Sequence, residues 1–282
     1  MKVLTLGSGF VADHLPYQKM TERFSLSKGS IISVLLNYKP DVVVNCIGKT
    51  GRPNVDWCES NKEATASGNV TLPLLIAEAC HDLGIHMIQI GSGCIYFGPS
   101  PCKGHTSSAI DPGWRETDFA NPASFYSKTK YSCDLMLTEM PHVTTLRIRM
   151  PVSDKDVPRN LINKLRGYKQ VIDIPNSMTF MDDLTRCVEW ATNNRPGGIF
   201  HVANPQPVTA AQIMQEYQKY VPEHQFEIID EHQLDGMTIA KRSNCILSTD
   251  KLQRAGFRMT DSEKALTECM AKYIKNMRST NV

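Results

Sequence analysis

Of nine tyrosines in the chain, Tyr126 is the one with a lysine four residues later, Lys130. On a helix that spacing sets both side chains on one face. A phenol is a weak acid–base group near neutrality, and an adjacent ammonium is expected to bring it toward the working range. A second chemical pair stands in IGSGCIYFG, residues 90–98, where Ser92 and Cys94 follow a short apolar run. A hydroxyl at the C-terminal end of a parallel strand sits where open α/β sheets bind ligands, and there it could hydrogen-bond a substrate carbonyl. Residues two apart on a strand share a face, so Cys94 points at the same substrate if the extended geometry continues. The residues alone leave a plainer reading of each open: a surface accident for Tyr126 with Lys130, and core packing for Cys94.

The strand-like run KVLTL (2–6) leads into Gly7-Ser8-Gly9-Phe10-Val11-Ala12, a G-x-G-x-x-A turn expected to open a helix. Glycines there let the backbone approach a pyrophosphate, and the helix N-terminus would meet its charge. Such a pattern expects an acidic residue about 20 positions on to hold a ribose 2′-hydroxyl. This sequence offers Ser25, Leu26, Ser27 and Lys28 instead. Ser27 and Lys28 suit a 2′-phosphate, which points to NADP(H); an ordinary polar loop is the alternative.

Those groups need a scaffold. Strand-like runs at 2–6, 23–26, 41–45, 86–90 and 144–149 alternate with helix-like stretches at 30–38, 70–84 and 127–140. Ser30 is the expected cap of the first helix. The alternation predicts an α/β fold, a Rossmann-like doubly wound parallel sheet with a smaller, partly interleaved C-terminal substrate lobe. After Pro151 the rhythm loosens into a polar loop, a short helix, a strand at 171–174, a helix over 181–194, a strand over 198–204 and helices near 209–220 and 261–277. The expected division is a cofactor domain over 1–150 to which 181–204 returns, and a substrate lobe of 151–180 and 205–282. A cleft between lobes is the expected place for a small ligand.

Composition excludes several other classes. The 31 basic side chains nearly balance 29 acidic ones, so charge favours neither nucleic acid nor anionic lipid as a partner. No segment offers a secretory signal or 18 uninterrupted apolar residues, and a soluble, cytoplasmic protein with no membrane partner is expected. The nine cysteines are scattered with no C-x-x-C pair, which argues against a disulfide framework or a metal site.

Taken together, the N-terminal glycine turn, Asn45-Cys46-Ile47-Gly48, Ser92-x-x-Ile95-Tyr96 and Tyr126-x-x-x-Lys130 resemble the extended short-chain dehydrogenase/reductase family. Longer blocks are similar to the plant-type UDP-4-keto-6-deoxy-D-glucose 3,5-epimerase/4-reductases, which make UDP-L-rhamnose. These are GRPNVDWCES (51–60), FYSKTK (125–130), LRIRMP (146–151), PRNLINK (158–164), DIPNSMT (173–179) and RSN (242–244), in order along nearly the whole chain.

The resemblance implies roles. Hydride from NADPH would attack C4 of the keto-sugar while Tyr126 protonates the developing oxyanion, Ser92 hydrogen-bonds it, and Lys130 holds the nicotinamide ribose. Gly7, Gly9, Phe10, Val11, Asn45, Ile47, Gly48, Met150 and Tyr126 itself would complete the cofactor site with Lys130, Ser27 and Lys28. Epimerisation at C3 and C5 needs a base and an acid as well. Cys94 matches the base assigned in the related GDP-fucose synthase. Lys164 matches the lysine that replaces that enzyme's histidine acid in the plant-type proteins. Arg52, Asn54, Arg159, Asn160, Arg242 and Asn244 supply donors for the nucleotide-sugar, and arginines suit its diphosphate. The glycine turn departs from the family, being one residue shorter than G-x-x-G-x-x-G with Ala12 in place of its last glycine.

The function implied is a bifunctional NADPH-dependent epimerase/reductase acting on UDP-4-keto-6-deoxy-D-glucose. The sequence begins at the reductase module, so a separate 4,6-dehydratase is expected to supply the keto-sugar. Two other readings stand beside it: a 4-reductase acting on a sugar already epimerised, and a non-catalytic NADP-binding regulatory subunit of the same fold. The intact set of Ser92, Tyr126 and Lys130 argues against the last. Oligomeric state is left open, a homodimer being one option.

Overall fold

The computed structural model describes residues 1–102 and 111–280, the side chain of Thr280 excepted. Along the chain, β1 (Val3–Leu6), β2 (Gln18–Lys19), α1 (Lys28–Tyr38), β3 (Val42–Asn45), α2 (Asp56–Ser60), α3 (Lys62–Ala66), α4 (Leu72–Asp82), β4 (His86–Ser92), α5 (Phe125–Leu137) and β5 (Val143–Ile148) come first. They are followed by β6 (Pro151–Val152), α6 (Leu161–Arg166), β7 (Gln170–Ile172), β8 (Thr179–Phe180), α7 (Met181–Asn194), β9 (Gly198–Val202), α8 (Ala210–Gln218), β10 (Glu227–Ile229), α9 (Glu231–Gly236), α10 (Asp250–Arg254) and α11 (Ser262–Thr280).

Six strands pair in parallel in the order β2-β1-β3-β4-β5-β9, the expected α/β Rossmann-like sheet. Both its faces are buried, which is why its strands read as continuous apolar runs. Leu4, Leu6, Val43 and Met87 meet Ile31 and Leu35 of α1, Ile76 and Cys80 of α4 and Cys133 of α5. The alternate residues Val42, Val44, Ile88 and Ile90 meet Leu184 and Val188 of α7, with Leu252, Phe257 and Met259 from the segment around α10. Burial of each such side chain contributes roughly 1.5–3 kcal/mol.

A second core gathers Ile162 and Leu165 of α6, Val171 of β7, Ile213 and Met214 of α8, and Met270 and Tyr273 of α11. The pairs β7 with β10 and β6 with β8 brace it. The expected ranges 1–150 and 205–282 include 103–110 and 281–282, which lie outside the described residues.

Four local expectations are corrected. The second strand is Gln18–Lys19 rather than 23–26, which forms no strand. The glycine turn opens no full helix: Ala12–His14 make a single three-residue 3-10 turn. The cause is Pro16, which biases the preceding residue toward an extended conformation, and Leu15 has φ −78° and ψ 136°. The cap of α1 is Ser27, whose hydroxyl accepts from the Ser30 amide, not Ser30 itself. Finally, the helix expected at 70–84 starts upstream, because α3 runs through a π turn (Ser67–Thr71) into α4. Within that turn the Asn69 side chain bonds both backbone groups of Lys49 and the Thr129 hydroxyl, pinning the loop after β3 to α5.

Candidate active site

Strand order reverses around β1, whose neighbours β2 and β3 lie on opposite sides, and the crevice at the carboxyl ends of such strands is the binding site of open α/β sheets. A cavity of about 450 Å³ opens there, walled by Gly9, Phe10 and Val11 after β1, Ile47 and Gly48 after β3, and Ser92 at the end of β4. Gly7 turns the chain with φ +109°, a conformation that glycine adopts without cost. Gly9 has open space where a Cβ would stand. A second cavity of about 360 Å³ shares Cys94, Tyr126, Arg149 and Lys164 with the first and continues to Val171, Ile229 and Asn244.

Ser92 sits at the last position of β4, and its hydroxyl accepts from the Cys94 amide at 3.2 Å. The extended geometry does not continue past it. Gly93–Ile95 form a 3-10 turn, tight enough that a Cβ at Gly93 would stand 2.6 Å from Leu247. Cys94 nonetheless lines both cavities. Its carbonyl accepts from the Ser127 hydroxyl at 2.7 Å, and its sulfur receives a hydrogen bond from Arg149 at 3.1 Å.

Helix α5 delivers Tyr126 and Lys130. Ser124 caps it, and Glu59 of α2 accepts from the Phe125 amide at 2.7 Å. Burial pushes the Tyr126 phenol well above its ordinary range; nearby Cys94 adds to this, and a hydrogen bond with Ser92 opposes it. That direction is opposite to the one expected from an adjacent ammonium. The Lys130 ammonium instead donates to the Ile90 carbonyl at 3.2 Å, and it is 5% exposed.

Lys164 faces both cavities from α6, half-buried rather than solvated. Burial, then the charge of Arg159, pushes its amine below the ordinary lysine range. Arg159 lines the first cavity and reaches Thr50 Oγ1 at 3.2 Å. Arg242 lines both, with its guanidinium held at 2.8 and 3.0 Å by the two Asp56 carboxylate oxygens. Asn54 is on the wall of the first cavity, as is Met150, which has φ 42°.

Other expected site residues lie outside both walls. Gly7 and Asn45 shape turns, Asn45 bonding Gln89 and the Ile47 amide. Asn160 is fully buried, bonded to both backbone groups of Ser153 and to the Lys155 carbonyl. Ser27 caps α1, and Lys28 pairs with Asp82. Arg52 precedes Pro53 through a cis peptide and is absent from the walls.

Arg149, Tyr168 and Leu161 line both cavities and went unnoticed in the sequence. For Arg149 there was a signal: one arginine, Arg147, lies within the wholly buried strand Val143–Ile148 and a second, Arg149, directly follows it. Among the described residues no group of acidic, histidine or cysteine side chains could hold a metal, and no helix is long and apolar enough to cross a membrane.

The RmlD substrate binding domain family matches residues 26–275. A bifunctional dTDP-4-dehydrorhamnose 3,5-epimerase/dTDP-4-dehydrorhamnose reductase of Arabidopsis thaliana is 40% identical over 229 residues, 79% of this chain and 74% of its own. A trifunctional UDP-glucose 4,6-dehydratase/UDP-4-keto-6-deoxy-D-glucose 3,5-epimerase/UDP-4-keto-L-rhamnose-reductase of the same plant is 38% identical over 80% of this chain, which spans 34% of that protein's length. Among solved structures, the UDP-rhamnose synthase of Acanthamoeba polyphaga mimivirus superposes with a TM-score of 0.87 at 29% identity, over 96% of this chain and 99% of that one. A dTDP-4-dehydrorhamnose reductase of Bacillus anthracis in complex with NADP shares the fold, with a TM-score of 0.80 at 16% identity over 96% and 100% of the two chains.

Proposed function

The chain belongs to the RmlD substrate-binding family, and on that premise we propose that it converts UDP-4-keto-6-deoxy-D-glucose to UDP-L-rhamnose as an NADPH-dependent 3,5-epimerase/4-reductase. The observation that carries the reading is one shared space: Ser92, Tyr126, Lys130, Cys94 and Lys164 all open onto the same cavity. A reductase requires the first three, and the last two supply the base and acid that epimerisation adds.

The wall fits a nicotinamide dinucleotide phosphate. The open face of Gly9 is where a Cβ would take up cavity space, and the Lys130 ammonium, a three-donor group, has one acceptor among the described residues. Phe10, Val11, Ile47, Gly48 and Met150 would flank the cofactor, with residues 1–150 and 181–204 as its domain. Without a full helix after Gly9, backbone amides of the turn would have to serve the diphosphate in place of a helix terminus. When bound, NADPH supplies the hydride that reduces the C4 ketone.

The protein's own groups handle the protons. Removal of the C5 or C3 proton leaves an electron pair that delocalises onto the C4 oxygen, where Ser92 and Tyr126 donate hydrogen bonds. Cys94 takes that proton and Lys164 returns one from the opposite face. A lysine held below its ordinary range gives up a proton more readily near neutrality. A phenol held above its range stays protonated until the alkoxide forms at C4, which suits Tyr126 as the final donor. Arg159, Arg242, Asn54 and Asn244 would hold the nucleotide and sugar against the lobe of residues 151–180 and 205–282, Arg242 in the orientation that Asp56 imposes. The keto-sugar itself would come from a 4,6-dehydratase reaction.

The test is product analysis: incubation with NADPH and UDP-4-keto-6-deoxy-D-glucose, with the sugar identified by NMR. UDP-L-rhamnose is the expected product. Turnover of the pre-epimerised keto-sugar alone would leave a 4-reductase. Saturable NADPH binding without oxidation of either substrate would leave a binding subunit.

A further inference from the structure

Two arginines two residues apart on one run have opposite electrostatic settings. Arg147 is buried against a carboxylate, with its Nε 2.7 Å from Asp134. Arg149 is 3% exposed and has no acidic partner among the described residues. Its two terminal nitrogens reach Asn176 Oδ1 at 2.7 Å, the Ser243 carbonyl and Cys94 Sγ at 3.1 Å, while its Nε is buried with no partner. A guanidinium cannot discard its proton, and a buried cation without an anion costs several kcal/mol. Two of its neighbours, the sulfurs of Cys94 and Cys245, can become anions, and of these Cys94 alone lines the cavities.

We propose that Arg149 is the positioning residue of the deprotonation step, binding Cys94 as the thiolate and aiming that sulfur into the cavity. The inference rests on the reading of Cys94 as the base. A thiolate beside a guanidinium is the reactive form of cysteine. Burial works against the charge on Arg149, but the sulfurs of Cys94 and Cys245 outweigh it and hold the guanidinium above its ordinary range. The other titratable groups around the sulfur are Tyr126 from α5, Cys245 from the segment before α10, and Lys164 across the cavity. Burial holds both Tyr126 and Cys245 above their ordinary ranges, and neither can supply positive charge. After it has taken a proton from the sugar, Cys94 is a thiol, and after Lys164 has returned one its amine is neutral; loss of the thiol proton to solvent and uptake of a proton by the amine restore the thiolate beside Arg149 and the ammonium of Lys164.

The experiment compares wild type, Arg149→Met, Arg149→Lys and Cys94→Ala. Three readouts are taken: alkylation of Cys94 by iodoacetamide across pH, followed on its own peptide by mass spectrometry; exchange of sugar protons in deuterium oxide without NADPH; and reduction of pre-epimerised UDP-4-keto-L-rhamnose. Arg149→Met is expected to lower alkylation and exchange at neutral pH by about tenfold or more, both recovering as pH rises. Arg149→Lys is expected to recover much of the loss. Reduction by the same preparations reports that the fold and the Ser92–Tyr126 pair are intact. If the alkylation profile of Cys94 in Arg149→Met superimposes on that of the wild type, the proposal is overturned, whatever happens to exchange. Undiminished exchange in Cys94→Ala would instead remove the base reading, and the alkylation profile would still decide the pairing.

Discussion

Lys28 Nζ lies 2.8 Å from Asp82 Oδ2, tying the first turn of α1 to the last of α4. The ammonium that the sequence offered to a 2′-phosphate is thus occupied at the surface, and Asp82 holds it above its ordinary range. The strand whose carboxyl end should meet the adenosine ribose stops at Lys19, so Met20, Thr21, Glu22 and Arg23 follow it.

Lys28→Ala is therefore expected to leave kcat/KM for NADPH within about twofold of wild type, whereas Arg23→Ala should lower it about tenfold and spare NADH, the scale of one charge-assisted hydrogen bond. Kinetics with both cofactors check this. A collapse of NADPH preference in Lys28→Ala would mean that α1 moves toward the cofactor after all.

Tyr126→Phe removes a proton donor and one hydrogen bond to Ser92 while keeping the ring. Reduction should fall by about 10²–10⁴-fold, and thermal stability should change by only about 1 kcal/mol. NADPH titration by fluorescence should give an unchanged Kd, because Lys130 remains. Near-normal turnover would take Tyr126 out of the mechanism.

How much of this was legible depends on how local the cause is. The apolar runs at Val42–Val44 and Met87–Ile90 announced a sheet buried on both faces, and the Tyr126–Lys130 spacing placed both groups on one helix, because periodicity is a property of neighbouring residues. The second strand was misplaced because Gln18–Lys19 is a two-residue edge element with no apolar pattern, while RFSL carries one and forms nothing. Asn160 reads as a ligand donor in sequence and proves to be a buried brace, since its partners at Ser153 and Lys155 are decided by how the loop folds back. The same holds for Arg242, whose lock on Asp56 spans 186 positions. Contacts of that range leave no local signature.

The pair of Arg147 and Asp134 joins β5 to α5, the helix that carries Tyr126 and Lys130. Tyr96 and His201 complete the network, at 2.8 and 3.3 Å from the same guanidinium nitrogen. Asp134→Ala strands a buried cation and should destabilise the protein by about 3–5 kcal/mol. Replacing both partners by Leu and Met should cost less than that single change. Urea denaturation of the two variants measures the difference, and equal losses would show that the carboxylate is not what balances Arg147.

The last expectation concerns the pH at which epimerisation fails. Lys164 acts as an acid only while protonated, and burial with the Arg159 charge holds its amine below the ordinary lysine range. Deuterium exchange into the sugar does not strictly require the acid, but net inversion does. The rate of inversion should therefore drop on the alkaline side at a lower pH than an unperturbed lysine would impose. Removing Arg159 takes away one positive charge, favours the ammonium and should move that alkaline limb to higher pH. Lys164→Met should abolish the limb together with inversion, while reduction of the pre-epimerised keto-sugar persists. Because Arg159 is also offered to the nucleotide-sugar, the Arg159→Ala profile must be taken at saturating substrate. A limb that stays put in Arg159→Ala, or inversion that survives in Lys164→Met, would place the acid elsewhere in the cavity.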